Sequence, residues 1–171
     1  MDEEALTKDL ISRISNDFEI LREVDGFHQF YEQSVRIDLV LKAKPHLIEQ
    51  GFTNEWFGIE CKWVTGVLKQ TSKTTRLVWQ SITYAQSLFN INGSWEKLRF
   101  VAVYTPPHLE SSIEANLTRL LELGHYGCVG RFHFYKHYQG WCIRFVKVYA
   151  STNGELYISQ PQLPKIRAGS V

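Results

Sequence analysis

The stretch Trp56-Phe57-Gly58-Ile59-Glu60-Cys61-Lys62 predicts a β-strand that ends in Glu-x-Lys. An earlier stretch, Val35-Arg36-Ile37-Asp38-Leu39-Val40-Leu41, predicts a strand that carries a single acid among aliphatic residues. A carboxylate inside a sheet costs free energy unless something compensates it, and a divalent metal shared by two carboxylates is one such compensation. The two strands together therefore predict a metal site.

The alternation of side chains along a strand indicates how these groups meet. Period-two alternation places Glu60 and Lys62 on one sheet face, and it places Asp38 on the face opposite Ile37. If the two strands are neighbours, both carboxylates and the ammonium group converge. The alternative is structural: Asp38 forms an ordinary ion pair with Arg36 or Lys62, and Glu60 does so with Lys62.

The three groups match the needs of phosphodiester hydrolysis. Mg²⁺ favours carboxylate oxygens, keeps several waters and accepts phosphate oxygens, so Asp38, Glu60 and the backbone carbonyl of Cys61 suit it. The ion would polarise the phosphate and acidify a water molecule. Lys62 would position or help deprotonate the nucleophile and offset the charge that builds on phosphorus. The pattern predicts a hydrolase that uses Mg²⁺ or Mn²⁺.

The order of the predicted elements is that of a mixed α/β domain, because helical and strand-like periodicities alternate along the chain. In chain order, the predicted elements are a helix over residues 3–15, strands over 18–24, 35–41 and 56–62, a helix along Val78, Ile82, Ala85 and Phe89, a strand over 98–104, a helix over 111–124, and strands over 128–136, 141–149 and 156–158. Asp25-Gly26 predicts a turn, and Lys44-Pro45 predicts the end of a strand. Asn92-Gly93 predicts the end of the second helix.

Length and composition indicate one domain. A chain of 171 residues with 44% hydrophobic residues is long enough for one substantial core, predicted over residues 1–160, with residues 161–171 as a loose tail. A formal net charge of +1 excludes a globally basic nucleic-acid binder. The sequence contains neither a glycine-rich phosphate loop nor a G-x-S-x-G elbow, so it does not indicate NTP use.

The cysteines and the hydropathy pattern bear on location. Cys61, Cys128 and Cys142 lack C-x-x-C spacing and fit buried thiols in a reducing compartment. No apolar run approaches the roughly 20 residues that span a bilayer. We therefore expect a cytoplasmic protein that is not associated with a membrane.

With these residues in place, the chain resembles the PD-(D/E)XK nuclease superfamily over about residues 3–104. This resemblance implies a restriction-endonuclease-like αβββαβ core, with a mixed central sheet flanked by helices, followed here by a C-terminal helix and a β-rich extension. Asp38 and Glu60 match the two acidic ligands of the family, and Lys62 matches its lysine. Ile37 stands where the motif name has Pro.

The resemblance also implies roles for ancillary residues. Glu3 matches the glutamate that many members carry on the first helix, and Gln80 with Tyr84 matches a Gln-x-x-x-Tyr pattern on the helix after the motif strand. On this basis Glu3 and Gln80 join the predicted catalytic residues. The structural alternatives are a solvated acid at a helix N-terminus for Glu3, a helix-surface amide for Gln80 and a core phenol for Tyr84.

Basic and aromatic residues supply candidate contacts to nucleic acid. Residues 62–76 hold four bases and no acid, and we assign phosphate-backbone contacts to Lys69, Lys73 and Arg76; the alternative is a solvated loop. Tyr84 is assigned to nucleic-acid binding with them. The aromatic and basic stretch 131–138 either stacks on unpaired bases or belongs to the sheet and core. His133 and His137 lie about 13 Å apart on a strand and cannot share a zinc ion.

The function predicted from the sequence is divalent-metal-dependent cleavage of nucleic acid, with DNA as the substrate that the resemblance implies. A homodimer is a further possibility, because cutting two strands needs two sites. A protein of a different class stays open: a catalytically silent copy of the fold that binds nucleic acid or a protein partner. Metal binding separates the two.

Overall fold

The computed structural model describes residues 2–64, 70–106, 113, 117, 129–134, 140–145, 148–150, 155–158 and 166–167. Its helices are α1 (Glu3–Ile14), α2 (Pro45–Glu49) and α3 (Gln70–Gln86). Its strands are β1 (Phe18–His28), β2 (Gln33–Ala43), β3 (Phe57–Cys61), β4 (Leu88–Ile91), β5 (Ser94–Lys97), β6 (Val101–Tyr104), β7 (Val129–Phe134), β8 (Trp141–Phe145), β9 (Val148–Ala150), β10 (Glu155–Ile158) and β11 (Ile166–Arg167).

Eight strands form one mixed sheet in the order β5-β4-β1-β2-β3-β6-β7-β8. The β3–β6 and β6–β7 pairs are parallel, and the other pairs are antiparallel. The predicted α/β class with a mixed central sheet is therefore confirmed. Strands β9, β10 and β11 form a second, antiparallel sheet, and β11 lies within the segment 161–171 that the sequence predicted to be loose.

Helix α1 packs on one face of the large sheet, which we call the α1 face. The Asp2 side chain caps the helix by accepting a hydrogen bond from the Ala5 N–H at 2.9 Å. Leu6, Leu10 and Ile14 recur at helical spacing and are buried in the core cluster of this face. Each buried aliphatic side chain of this kind contributes about 1.5–3 kcal/mol, so this stripe fixes α1 on the sheet.

Helix α3 packs on the opposite face, which we call the α3 face. Leu77, Val78 and Ala85 pack there with Val101 and Val103 of β6. Because β3 lies between these two layers, all five of its residues are buried. The strand that carries Glu60 is therefore an interior strand, in keeping with its apolar sequence.

The end of the second predicted helix was wrong. Helix α3 ends at Gln86, and Asn92-Gly93 instead joins β4 to β5. Asn92 has φ 52° and Gly93 has φ 86°, the positive angles of a tight two-residue hairpin turn. Phe89 lies in β4, where it packs on the α3 face.

The turn predicted at Asp25-Gly26 was also wrong, because β1 continues through these residues to His28. A Cβ atom at Gly26 would lie 2.7 Å from the Leu88 carbonyl oxygen and from the Phe89 ring. Glycine is needed at this position for the close approach of β4. The strand end predicted at Lys44-Pro45 is confirmed, since β2 ends at Ala43 and α2 begins at Pro45.

Two other predictions, on a helix and on the cysteines, fall partly on residues outside the described ranges. The helix predicted over residues 111–124 lies outside the described residues except for Ile113 and Leu117, which are helical and buried. Cys61 and Cys142 are buried, and Cys128 lies outside the described residues. Within the described part of the chain, the helices are too short or too polar to cross a membrane.

Candidate active site

The candidate site begins where the pairing of β2 with β3 ends. The register runs from Leu41 opposite Phe57 to Leu39 opposite Ile59, so Asp38 and Glu60 come next on their strands. The Cys61 N–H donates to Asp38 Oδ2 at 2.8 Å. The Asp38 side chain thus serves as an acceptor that joins the two strands just beyond the ladder.

The alternation predicted for β2 fails on one side of Asp38. Ile37 packs on the α3 face together with Val40, whereas Leu39 packs on the α1 face. Glu23, between the paired residues Arg22 and Val24 of the neighbouring β1, has φ 49°. A positive φ is uncommon for a residue with a side chain, so the backbone is locally distorted beside Asp38 and a simple period of two does not hold.

Asp38 and Glu60 lie close enough for each to act on the pKa of the other. Burial raises the pKa of Glu60 well above its usual value, and the negative charge of Asp38 raises this pKa further. Burial also raises the pKa of Asp38, against the hydrogen bond from the Cys61 N–H, which lowers it. Glu60 therefore keeps its proton to a higher pH than an ordinary glutamate does.

The pair leaves one oxygen atom without a partner among the described residues. Glu60 is only 5% exposed, and its Oε2 atom is buried without a hydrogen bond. An unsatisfied buried acceptor costs about 1–3 kcal/mol. A cation held by the two carboxyl groups would give this oxygen a partner.

The available donor set is small. Within the described ranges, no group of three or more His, Cys, Asp and Glu side chains is placed to hold a metal ion. Asp38 and Glu60 provide two carboxylates, and Mg²⁺ is commonly bound by one or two carboxylates with water in its other positions. The residues therefore fit Mg²⁺ or Mn²⁺ better than an ion that requires a closed cage of protein ligands.

Lys62 and Glu3 connect the first turn of α1 to the end of β3. The Lys62 ammonium nitrogen lies 3.0 Å from Glu3 Oε1, and the Trp63 N–H donates to Glu3 Oε2 at 3.4 Å. The positive charge of Lys62 lowers the pKa of both Asp38 and Glu60, while the negative charge of Glu3 raises the pKa of Asp38. All four charged groups are thus close enough to influence one another.

Gln80 and Tyr84 adjoin the acidic pair from α3. Tyr84 is buried, and burial together with the charges of Glu60 and Asp38 raises the pKa of its phenol. The Gln80 side chain is close enough to this phenol to lower its pKa, and the Gln80 Oε1 atom is buried without a partner among the described residues. The structure thus links the Gln-x-x-x-Tyr pair to the acidic residues through Tyr84.

Fewer observations connect the predicted nucleic-acid-binding residues to the acidic pair. Lys73 and Arg76 are exposed on α3, and Arg76 is close enough to Tyr84 to act on its pKa. Lys69 lies outside the described residues. In the stretch 131–138, Phe132 is 1% exposed and stacks on Trp141, which agrees with the alternative that this stretch belongs to the core. Residues 135–138 lie outside the described part.

Sequence reasoning missed Thr7. This residue is buried on α1, its hydroxyl donates to the Glu3 carbonyl oxygen at 2.9 Å, and its side chain is close enough to the Cys61 thiol to act on the pKa of that thiol. Its spacing of four residues from Glu3 would have shown that both lie on one helix face. Thr7 therefore helps hold the first turn of α1 against β3.

Comparisons of this chain with protein-family models, with curated proteins and with solved structures give no match.

Proposed function

We propose that this protein is a divalent-metal-dependent nuclease that hydrolyses phosphodiester bonds, most readily in DNA. The observation that carries the proposal is the close pair of Asp38 and Glu60 beside Lys62, in which Glu60 is buried with an unsatisfied carboxyl oxygen. Groups with strongly shifted pKa values that share a site with charged partners are concentrated at functional sites.

The order of the elements supports the same proposal. Helix α1, strands β1, β2 and β3, helix α3 and strand β6 follow one another as in a restriction-endonuclease-like αβββαβ core, with α2 and the β4–β5 hairpin inserted. Asp38 comes from the second strand and Glu60 from the third, as the resemblance to the PD-(D/E)XK superfamily implies. Fold alone does not define function, so the side-chain chemistry of the site carries the greater weight.

Asp38, Glu60 and the backbone carbonyl of Cys61 would hold Mg²⁺ or Mn²⁺. Such an ion, when bound, polarises a phosphate oxygen and lowers the pKa of its water. Glu60 must release its proton before it can act as a ligand. The Lys62 ammonium group favours that release, because its charge lowers the pKa of Glu60.

Lys62 has a second task during the reaction. Its ammonium group can hold the attacking water and offset negative charge that develops on the phosphate. Glu3 positions Lys62 through their 3.0 Å contact. Gln80 and Tyr84 bound the acidic pair on the α3 side.

The same proposal includes the location and assembly of the protein. It acts in the cytoplasm, where buried thiols stay reduced. It pairs with a second copy to cut both strands of a duplex.

The proposal is tested by cleavage assays. Purified protein is incubated with supercoiled, linear duplex and single-stranded DNA and with RNA, in Mg²⁺, Mn²⁺ or EDTA. We expect metal-dependent cleavage of DNA that Lys62→Ala lowers by about 100-fold or more, as losing one transition-state contact typically does. Lys8→Ala is the matched control, because Lys8 forms an exposed ion pair with Glu4 on α1.

Two results would reject the enzymatic proposal: no cleavage of any substrate, or cleavage that is unchanged in Lys62→Ala. If either result is found, calorimetric titration with Mg²⁺ tests whether the protein still binds the metal. Binding of nucleic acid or protein without metal binding would favour the catalytically silent alternative.

A further inference from the structure

An open groove lies at the β5-β4-β1 end of the large sheet, about 660 Å³ in volume. We call it the aromatic groove, and its lining includes Asp25, Phe27, Gln29, Ser34, Leu88 and Trp95. Phe89 and Ile91 of β4 pack on the α3 face, so alternation places Leu88 on the other side of the sheet, and Phe27 is paired with Leu88. The groove therefore opens away from α3.

This part of the sheet is unusually rich in exposed aromatic side chains. Among the described residues, five large hydrophobic side chains are exposed; Trp79 is on α3, and the other four, Phe27, Phe30, Tyr31 and Trp95, lie in the groove or on the turn beside it. The core cluster of the α1 face includes no residue of β4 or β5. A concentration of exposed apolar surface like this marks a binding site more often than chance exposure does.

The polar side chains of the groove suit a nucleobase. Asp25 can accept hydrogen bonds from an exocyclic amino group, and the Gln29 amide and the Ser34 hydroxyl can each donate and accept. Phe27 and Trp95 offer ring faces on which a base can stack. A purely apolar partner would leave these three polar groups without hydrogen bonds, which disfavours it.

The groove and the candidate active site lie along the same strand, β2. Ser34, which lines the groove opposite Phe27, lies four residues from Asp38, a distance of about 13 Å along a strand. In a stacked strand this corresponds to roughly four nucleotides. Arg36 lies between these two positions and is exposed, so a phosphate that joins a base in the groove to the site would meet a positive charge.

We propose that the aromatic groove binds an unpaired base of the nucleic-acid strand whose backbone passes Arg36 toward Asp38 and Glu60. The path to the acidic pair rests on the proposed nuclease function, whereas base binding in the groove does not. A base that stacks on Phe27 and Trp95 cannot be paired in a duplex. The substrate class is therefore a single strand, or a duplex with an unpaired end or flap.

The groove is tested by fluorescence anisotropy with labelled single-stranded and fully paired oligonucleotides in EDTA, so that binding is measured without cleavage. We expect tighter binding of the single strand and about tenfold weaker binding in Trp95→Ala, since one stacked base typically contributes that much. Trp95→Phe keeps a ring face and should retain most of the affinity. Trp79→Ala is the matched control, because this residue is also exposed but lies on α3.

Three outcomes would overturn the groove proposal: Trp95→Ala binds as the wild type does, Trp79→Ala weakens binding equally, or the paired duplex binds as well as the single strand. Light scattering coupled to gel filtration tests the other occupant, a second copy of this chain. A wild-type dimer that Trp95→Ala converts to a monomer would assign the groove to self-association and also overturn the proposal.

The two proposals fail separately. Binding of single strands that depends on Trp95, without cleavage of any substrate, rejects the nuclease and keeps the groove. Cleavage that depends on Lys62, with single-strand binding that is indifferent to Trp95, rejects the groove and keeps the nuclease. Arg36→Gln should reduce the salt dependence of binding by about one phosphate contact, and an unchanged slope counts against the proposed path.

Discussion

The ammonium group of Lys62 is held 3.0 Å from Glu3 Oε1, which ties the residue after β3 to the first turn of α1. The same glutamate accepts a hydrogen bond from the Trp63 N–H. Glu3 therefore fixes both the backbone beyond β3 and the direction of the Lys62 side chain. The two members of this ion pair come from elements nearly 60 residues apart in sequence.

We expect Glu3→Gln to lower cleavage about tenfold while it changes the free energy of unfolding by less than about 1 kcal/mol, because partly exposed ion pairs contribute little to stability. The effect should appear mainly in kcat, since a mispositioned Lys62 acts on the transition state. Glu4→Gln is the control, because Glu4 pairs with Lys8 on the exposed side of α1. Equal losses in both variants would count against a positioning role for Glu3.

The raised pKa of Glu60 predicts how stability depends on pH in metal-free buffer. Between the ordinary value of 4.5 and the raised value, the folded protein binds a proton that the unfolded chain has lost, so the free energy of unfolding falls as the pH rises through this range. Glu60→Gln should remove most of this fall. Urea titrations in EDTA at several pH values measure it, with the exposed Glu49→Gln as control. An unchanged slope in Glu60→Gln would contradict the assignment.

Metal binding should stabilise the folded protein. A ligand at 100 times its Kd adds about 2.7 kcal/mol, so the Tm should rise in excess Mg²⁺. The rise should be larger at higher pH, because the ion must displace the proton of Glu60. Asp38→Asn keeps an acceptor for the Cys61 N–H but removes a charged ligand, and it should lose this rise. Asp9→Asn, at an exposed position of α1, should keep it.

A side chain at Gly58 is expected to displace its neighbours. A Cβ atom there would lie 2.5 Å from Ile37 Cδ1 and 2.9 Å from Leu98 Cδ1. Gly58→Ala should reduce the free energy of unfolding by about 1–3 kcal/mol, and a shift of β3 should lower cleavage as well. Adding Ile37→Val removes the nearer clash and should restore part of the stability, as thermal unfolding would show. A double variant that is no more stable than Gly58→Ala would argue against this clash.

Much of the central sheet could be predicted from the sequence, because its strands carry strong local signals. The apolar runs around Asp38 and Glu60 predicted interior strands, and the structure places these strands side by side. The proximity of the two carboxyl groups followed from the pairing of these two strands. Their raised pKa values did not, because these depend on burial between α1 and α3, which no local pattern reveals.

The errors have a common physical origin. Val78, Ile82, Ala85 and Phe89 fit a helical period, yet Phe89 and Ile91 also fit a strand, and only pairing of β4 with β1 decides between them. Gly26 carried a turn signal, whereas its role is to admit β4. The partner of Lys62 was equally hidden, since Glu3 lies on a different element and is brought near by the packing of Leu6 and Leu10.

The interior position of β3 has a consequence for the newly made chain. Glu60 is synthesised well before Val101–Tyr104, the segment of β6 that pairs with β3 on its second side. Until that segment has left the ribosome, one edge of β3 stays open to water and Glu60 is not yet enclosed. The burial that raises the pKa of Glu60 is therefore complete only after translation has passed β6.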